Sequence, residues 1–515
     1  MNKSINKRGR RALRVGRFGG FIALTGWGLA ALLVACAPVG PTYQPPRPEL
    51  PTAWGRTTAG SVNQAEAKEL GHWWTLFNDA RLDSLIQRAE AANPDLRIAE
   101  ARILQARAQY RLTTAAAAPK VGVAGNYANS RPSENAGSSD GGTTQDLFQA
   151  GFDAGWELDI FGGARRANEA AEARLAAAGE NSTAVRVSLA AEVARNYLEL
   201  RGSQQRLATA RLNLAGQEKT LELARGRRQF GIGNELEVAQ AETQLAVTRA
   251  QLPPLANSAG QAIYRLTLLL ALPPQALTEE LSARAPLPAL PARLPETLPS
   301  ELLRRRPDIR RAERQLAAAT ADIGVATAEL FPRFSLTGLT GLQSTNLSDL
   351  LSSGSRYWTV GPTVRWPLFD GGRVRANIAL NQGLKEEAQV AYEKTVLTAL
   401  SEVEAALLAQ AREAETRRTL AASVAAGERA VELAKGRYRA GLTPFLDVLL
   451  GERLLYESQD RLVQSEQQLA INLVALFKAL GGGWDLDADR QETSGTPAAQ
   501  GAVAPQTTPA GELNK

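Results

Sequence analysis

From Phe148 to Leu158 the apolar residues Phe148, Ala150, Phe152, Ala154, Trp156 and Leu158 fall on every second position, with glycine or polar residues between them. Period two over that length predicts a strand with one apolar face, long enough to span an outer membrane. Val121, Val123 and Tyr127 predict the strand before it, and the Ser-, Gly- and Asp-rich stretch from Arg131 to Asp146 predicts the long loop of a hairpin. The same texture returns from Phe334 to Gln343 and from Tyr357 to Leu368, across a loop from Ser344 to Ser355. In the last stretch Trp358, Val360, Val364, Trp366 and Leu368 share a face. Tryptophans near its ends suit an interfacial aromatic girdle, and Pro362 weakens the ladder locally.

Around these strands the pattern turns helical. Leu82 to Ala118 predicts a helix stopped by Pro119, and Glu301 to Leu330 predicts another stopped by Pro332. Beyond Gly162-Gly163 a helical pattern continues to about Arg228; some sixty residues make a rod of about 90 Å, too long to pack inside an ordinary globular domain. A turn at Gly231-Ile-Gly-Asn234 sends the chain back from Leu236 to about Leu272, with a kink or break at Pro253-Pro254. After Gly371-Gly372 a second long helix carries Val396, Leu400, Val403 and Leu407 as a heptad-like seam. It turns at Gly441-Leu-Thr-Pro444 and returns through Val448 to Leu480.

The two series are copies. Glu222 and Glu432, Gly226 and Gly436, Gly231 and Gly441, Val238 and Val448, and Glu242 and Glu452 all differ by 210 positions. Pro94-Asp-Leu-Arg97 returns as Pro307-Asp-Ile-Arg310 at a shift of 213, and Phe161-Gly-Gly-Ala-Arg-Arg-Ala-Asn168 as Asp370-Gly-Gly-Arg-Val-Arg-Ala-Asn377 at a shift of 209. The organisation read from this is a leader at 1–35, an extended tether at 36–80, a first repeat at 81–299 ending in a Pro-rich linker, a second repeat at 300–484, and a disordered tail at 485–515.

Charge matters only at the N-terminus. Lys3, Lys7, Arg8, Arg10, Arg11, Arg14 and Arg17 precede the first apolar run, so the remainder is close to neutral and a nucleic-acid partner loses its main support. Basic residues, an apolar run from Phe18 to Val34 and a small-residue site make this a signal peptide. The only cysteine is Cys36 and the only histidine His72, which excludes disulfides, Cys/His zinc sites and histidine acid–base chemistry within the chain. No cofactor and no metal are expected, His72 reads as a surface polar residue, and carboxylate chemistry alone stays open. Trp73, Trp74 and Phe77 predict a docking point against the body.

Each half supplies two strands, and four strands cannot close a barrel. An open sheet cannot sit in lipid with its edge groups unpaired, so the chain must oligomerise to insert. Two copies give about eight strands and a filled barrel, three give about twelve and an aqueous lumen.

Leu-Val-Ala-Cys36 resembles the bacterial lipobox, which implies a covalent N-acyl and S-diacylglycerol lipid on Cys36; Ala37 after it fits outer-membrane sorting. With the following Pro-Val-Gly-Pro-Thr-Tyr-Gln-Pro-Pro, with Trp73-Trp74-Thr-Leu-Phe-Asn-Asp, Asn93-Pro-Asp-Leu, Trp156-Glu-Leu-Asp-Ile-Phe-Gly162 and the two glycine turns, the chain resembles TolC-type outer-membrane factors. Within them it is similar to the lipoprotein (NodT-like) branch serving resistance-nodulation-division efflux pumps. The resemblance covers almost the whole mature chain. It implies a mixed α/β membrane protein, a homotrimer whose twelve-stranded outer-membrane barrel continues as a periplasmic α-helical barrel. Its implied partners are a periplasmic adaptor and an inner-membrane transporter, and its implied work is passive efflux of drugs or other small toxic compounds. A duct for type I protein secretion is the alternative, and an enzyme or a structural coiled-coil lipoprotein is a third reading.

The resemblance also assigns residues. The turns at Gly231 and Gly441, with Arg228 and Arg439, become the periplasmic tip that meets the adaptor. Tyr438 and Glu237 occupy the positions of a restraining inter-helix hydrogen bond, Glu237 replacing the commoner Asp. Asp447 becomes a ring of carboxylates at the aperture, which would attract cations. Leu450 replaces a second such ring and Thr443 an arginine that helps hold the family's gate shut. Closure is therefore expected to rely on apolar packing, or on Arg437 or Arg439 as a substitute.

Overall fold

The computed structural model describes residues 37–55, 70–136, 142–291 and 299–485. Cys36, the leader, and the predicted tail beyond Asp485 lie outside them. By its contacts the chain divides into two units. One takes the described residues of 1–47, 102–178 and 312–392; the other takes those of 48–101, 179–311 and 393–515.

The first unit contains the sheet. Strands β1 (Lys120–Ser130), β2 (Gln145–Leu158), β3 (Arg333–Ser344) and β4 (Arg356–Arg365) pair antiparallel in the order β1-β2-β3-β4. The central pair joins the two repeats. Register explains the period-two pattern: Val123 lies opposite Phe152, Phe152 opposite Thr340, and Thr340 opposite Trp358. One face therefore carries Val121, Val123, Tyr127, Phe148, Phe152, Trp156, Phe334, Leu336, Trp358, Val360 and Val364, because facing residues in an antiparallel ladder share a side. The other carries Asn126, Gln149, Gln343, Asp153, Ser335 and Thr363. The outer strands β1 and β4 have no partner on their far edges among the described residues.

β4 ends at Arg365, earlier than the pattern suggests. Trp366 and Leu368 lie beyond it, before Gly371 and Gly372, whose positive φ of 64° and 89° turns the chain. Trp366 is still fixed, since its Nε1 donates to the Leu330 carbonyl at 3.0 Å; Trp156 does the same to Ala117 in the first copy. Pro362 falls on an edge strand, where a missing N–H is tolerated.

The helices also need one correction. The stretch at 82–118 forms two helices, α1 (Ala80–Ala92) and α2 (Pro94–Ala116), and that at 301–330 forms two, α7 (Pro299–Arg305) and α8 (Pro307–Ala328). In both copies the break falls just before a proline, whose ring pushes the preceding residue out of the helical region; Asn93 has ψ 129°. Between these pairs come the long α3 (Gly163–Gln229), α4 (Glu235–Ala250), α5 (Leu252–Leu269) and the short α6 (Thr278–Ser282). The break between α4 and α5 confirms the effect of Pro253-Pro254. The second copy continues with α9 (Arg373–Arg439) and α10 (Phe445–Ala479), the latter unbroken over 35 residues. No helix among the described residues is long and apolar enough to cross a membrane.

In the first unit the segment after Cys36 is pinned rather than free. Val39 N–H donates to Phe161 O at 3.0 Å, and the buried Arg166 guanidinium donates to Val39 O, Gly40 O and Thr42 Oγ1. Gly40, at φ +87°, lies so close to the Gly324 backbone that no side chain fits. In the second unit Trp73 is fully buried and stacks on Phe477 at 5.1 Å, with Trp74 and Phe77 beside it, while His72 is exposed.

Candidate functional site

The two repeated turns lie in the second unit, and each ends its helix identically. Gly231 N–H donates to Arg228 O and Ile232 N–H to Arg227 O, both at 3.0 Å. Gly441 and Leu442 make the same bonds to Tyr438 O and Arg437 O, at 2.9 Å. These are two Schellman caps, and both glycines adopt the left-handed φ of 73° that the cap demands. Backbone chemistry explains the repeated glycines in full.

The side chains around the turns differ between the copies. Asn234 caps α4, its Oδ1 accepting from Glu237 N–H at 2.9 Å, and so fixes Glu237 in the first turn. Pro444 precedes α10 without a side-chain cap. From α9, the Tyr438 hydroxyl donates to Glu237 Oε2 at 2.8 Å, which joins the two copies. Tyr438 is 2% exposed and packs against Phe445, 5.1 Å between ring centroids, in a cluster with Leu221, Ala224, Val238, Ala241 and Val448. Burial, and then the hydrogen bond and charge of Glu237, push its hydroxyl up to about 12.

Within this chain neither Arg437 nor Arg439 reaches Tyr438 or Glu237 with its side chain. Both are exposed, and among the described residues neither side chain makes a hydrogen bond or ion pair. Arg227, on the first copy, does reach Tyr438. Its guanidinium lies 4.6 Å from the Tyr438 ring centroid and donates to the carbonyls of Tyr438 (3.3 Å), Arg439 (3.4 Å) and Ile232 (3.4 Å). One cation thus covers an aromatic face and the carbonyl-rich end of α9 together. The duplication aligns Arg227 with Arg437, but sequence cannot say which of the two turns inward.

Arg228 is exposed and pairs with Glu235 at 2.7 Å. Asp447 is exposed in the first turn of α10, flanked by Leu446 (50% exposed) and Leu450 (42%), which with Leu454 form a stripe at four-residue spacing. Thr443 Oγ1 is buried without a partner. Tyr438 and Glu237 are therefore brought together, whereas Asp447 and Leu450 stand apart from them on a face this chain leaves uncovered.

A sheet with one apolar and one polar face, built into the same chain as long helical hairpins, defines the channel-forming class of outer-membrane proteins. The chain belongs to the outer membrane efflux protein family, whose pattern matches residues 85–272 and 298–482. It is similar to outer membrane protein OprJ of Pseudomonas aeruginosa, 35% identical over 471 residues, 89% of this chain and 96% of that protein. Nodulation protein T of Rhizobium leguminosarum bv. viciae is 31% identical, covering 88% of this chain and 92% of its own length. Among solved structures, the outer-membrane channel OprN matches with a TM-score of 0.83 at 37% identity, over 87% of this chain and all of that one. Its place is accordingly the outer membrane.

Proposed function

We propose that this chain is the passive outer-membrane duct of a tripartite efflux system. It receives drugs or other small toxic compounds from an inner-membrane resistance-nodulation-division pump through a periplasmic adaptor. The observation that carries this reading is the open four-stranded sheet with its apolar face and unpaired edges. Lipid cannot satisfy edge N–H and C=O groups, so the edge β4 must meet the edge β1 of another copy. Three copies close twelve strands, wide enough for a polar-lined lumen, and the helices continue as a hollow tube. Cys36, carrying its N-acyl and S-diacylglycerol groups, anchors the N-terminus in the same membrane.

At the tip, Tyr438, Glu237 and Arg227 hold the hairpins together in the resting state. Asp447 and Leu450 line the aperture, where threefold symmetry makes a carboxylate ring and an apolar ring. Gly231, Gly441, Arg228 and Arg439 face the adaptor. The duct performs no reaction, since its work is to open.

Reconstitution of the acylated protein in planar bilayers tests the reading. A trimer that resists dissociation and conducts in discrete steps is expected, and deletion of the gene should sensitise cells to small toxic compounds. A protein without conductance refutes the channel. Loss of a secreted protein with unchanged sensitivity would assign it to type I secretion.

A further inference from the structure

At the foot of the sheet, within the first unit, a cavity of about 250 Å³ lies where α2, α3 and α8 meet the ends of β2 and β3. Small apolar side chains make most of its wall: Ala116 of α2, Ala164 and Ala167 of α3, Val325 and Ala328 of α8, and Pro332 just before β3. Glu157, Asp159, Glu329 and Arg333 complete it. Three of these four are already engaged. Asp159 accepts from the N–H groups of Ala164 and Arg165, each at 3.0 Å, and Glu329 pairs with Arg373 at 3.3 Å and Arg333 at 3.9 Å. Glu157 is exposed, and among the described residues its carboxylate makes no hydrogen bond or ion pair.

Register decides which side this cavity faces. Glu157 lies opposite Ser335, on the polar face of the sheet. The apolar side of the same junction is closed: Trp156, on the apolar face, donates Nε1 to the carbonyl of the wall residue Ala117 at 3.0 Å. The segment that follows Cys36 runs over it too, with Val39 N–H on the carbonyl of the wall residue Phe161 and Pro38 so close to Gly162 that no side chain fits there. Phe161 is held further by stacking on Phe331, 4.6 Å between ring centroids. The edges β1 and β4, where another copy must pair, flank the central β2–β3 pair at which the cavity is built. It therefore opens toward the polar face, and one copy supplies its whole wall.

Resting on the reading of this chain as a duct for small toxic compounds, we propose that this cavity is a binding site in the lumen wall for cationic amphiphiles. Its volume falls below the roughly 300 Å³ at which whole drug-sized ligands begin to fit, so it admits one aromatic ring or a short chain. The ring leaves water against the alanines and Val325, while the positive charge stays hydrated at the mouth, within reach of Glu157. Three carboxylates against one guanidinium in the wall disfavour an anion. Thr113, Ala167 and Val325 also line a second cavity of about 480 Å³ along the same three helices, which gives a longer apolar tail room to continue. The site is weak by necessity, because a duct whose wall holds its cargo tightly stops conducting.

Benzyltrimethylammonium, one ring beside one permanent charge, is the probe. Added to the full acylated protein in planar bilayers, it should lower the conductance of the open channel with a millimolar midpoint, whereas benzenesulfonate, a similar ring of opposite charge, should not. Glu157→Gln should raise that midpoint by about threefold, the size of one exposed charge contact. Ala167→Leu, which fills the apolar wall, should raise it by about tenfold. Saturation-transfer NMR of the probe's ring protons, on the same proteins in nanodiscs, reads binding without conduction. Equal midpoints for the wild type and both variants, or equal action of benzenesulfonate, refute the site. A phospholipid that co-purifies with the wild type and is lost from Ala167→Leu makes the cavity a lipid seat and likewise overturns the proposal. If the wild type does not conduct while the ring signal is present and falls in Glu157→Gln, the duct reading fails and the binding site stands.

Discussion

The first-copy hairpin of α3 and α4 and the second-copy hairpin of α9 and α10 share their backbone turn to within a tenth of an ångström in each capping bond, yet they carry different side chains around it. The first supplies the carboxylate of Glu237, whose backbone N–H is capped by Asn234, and a cation in Arg227; the second supplies the buried ring and hydroxyl of Tyr438 and leaves Asp447 and Leu450 uncovered. Duplication preserved what the backbone requires, namely a glycine at positive φ, and let the side chains diverge wherever one hairpin has to hold the other.

The strongest way to break this comparison is to exchange one position across the copies. Tyr438→Phe removes the hydroxyl that bonds Glu237 and should raise the open probability by about tenfold in single-channel recording. Arg228→Ala, at the matching place in the first hairpin, removes only an exposed ion pair and should leave it unchanged. Equal effects would refute the division of roles.

A second contrast separates latch from ring. Asp447→Ala should weaken cation preference, read as a shift of the reversal potential in a salt gradient. Glu237→Gln, its counterpart 210 positions earlier, should open the channel with less change in selectivity. A smaller effect is expected from the paired arginines. Arg227→Gln loses the cover on Tyr438 and three carbonyl contacts, and should lower the melting temperature and favour opening. Arg437→Gln should do neither.

Alkaline titration gives the smallest effect. Tyr438 keeps its proton to about 12 in the folded protein, whereas the unfolded residue loses it near 10.0. Its contribution is therefore complete below pH 10 and declines as the pH rises toward 12, because only the unfolded state is then stabilised by releasing the proton. Melting curves over that range should show a decline that Tyr438→Phe lacks.

Much of this was legible in the chain. The period-two runs placed all four strands and, through register, the face each residue occupies; β4 stops at Arg365 although the apolar pattern runs on to Leu368, whereas β2 begins at Gln145 because the ladder continues into polar residues that read as loop. The helix breaks at Asn93 and Arg306 were written in the following prolines but were masked by an uninterrupted helical pattern on either side. Arg227 was hidden because the repeat offers Arg437 as its equal, and only the packing of Tyr438 distinguishes them. The pinning of residues 39–43 by Arg166 and Glu313 was not readable either, since partners more than a hundred residues away leave no local signature.

The sequence by itself determined the duplication, the strands, the long helices and the glycine turns, because each depends on interactions within a few residues or on a repeated word. Tertiary structure decided which side chains meet: Tyr438 with Glu237, Arg227 with the end of α9, Glu452 with Thr220 and Lys435. The reason is geometric. Two helices of the same local pattern can turn either face inward, and only the packing of four of them together selects the residues that are buried in contact.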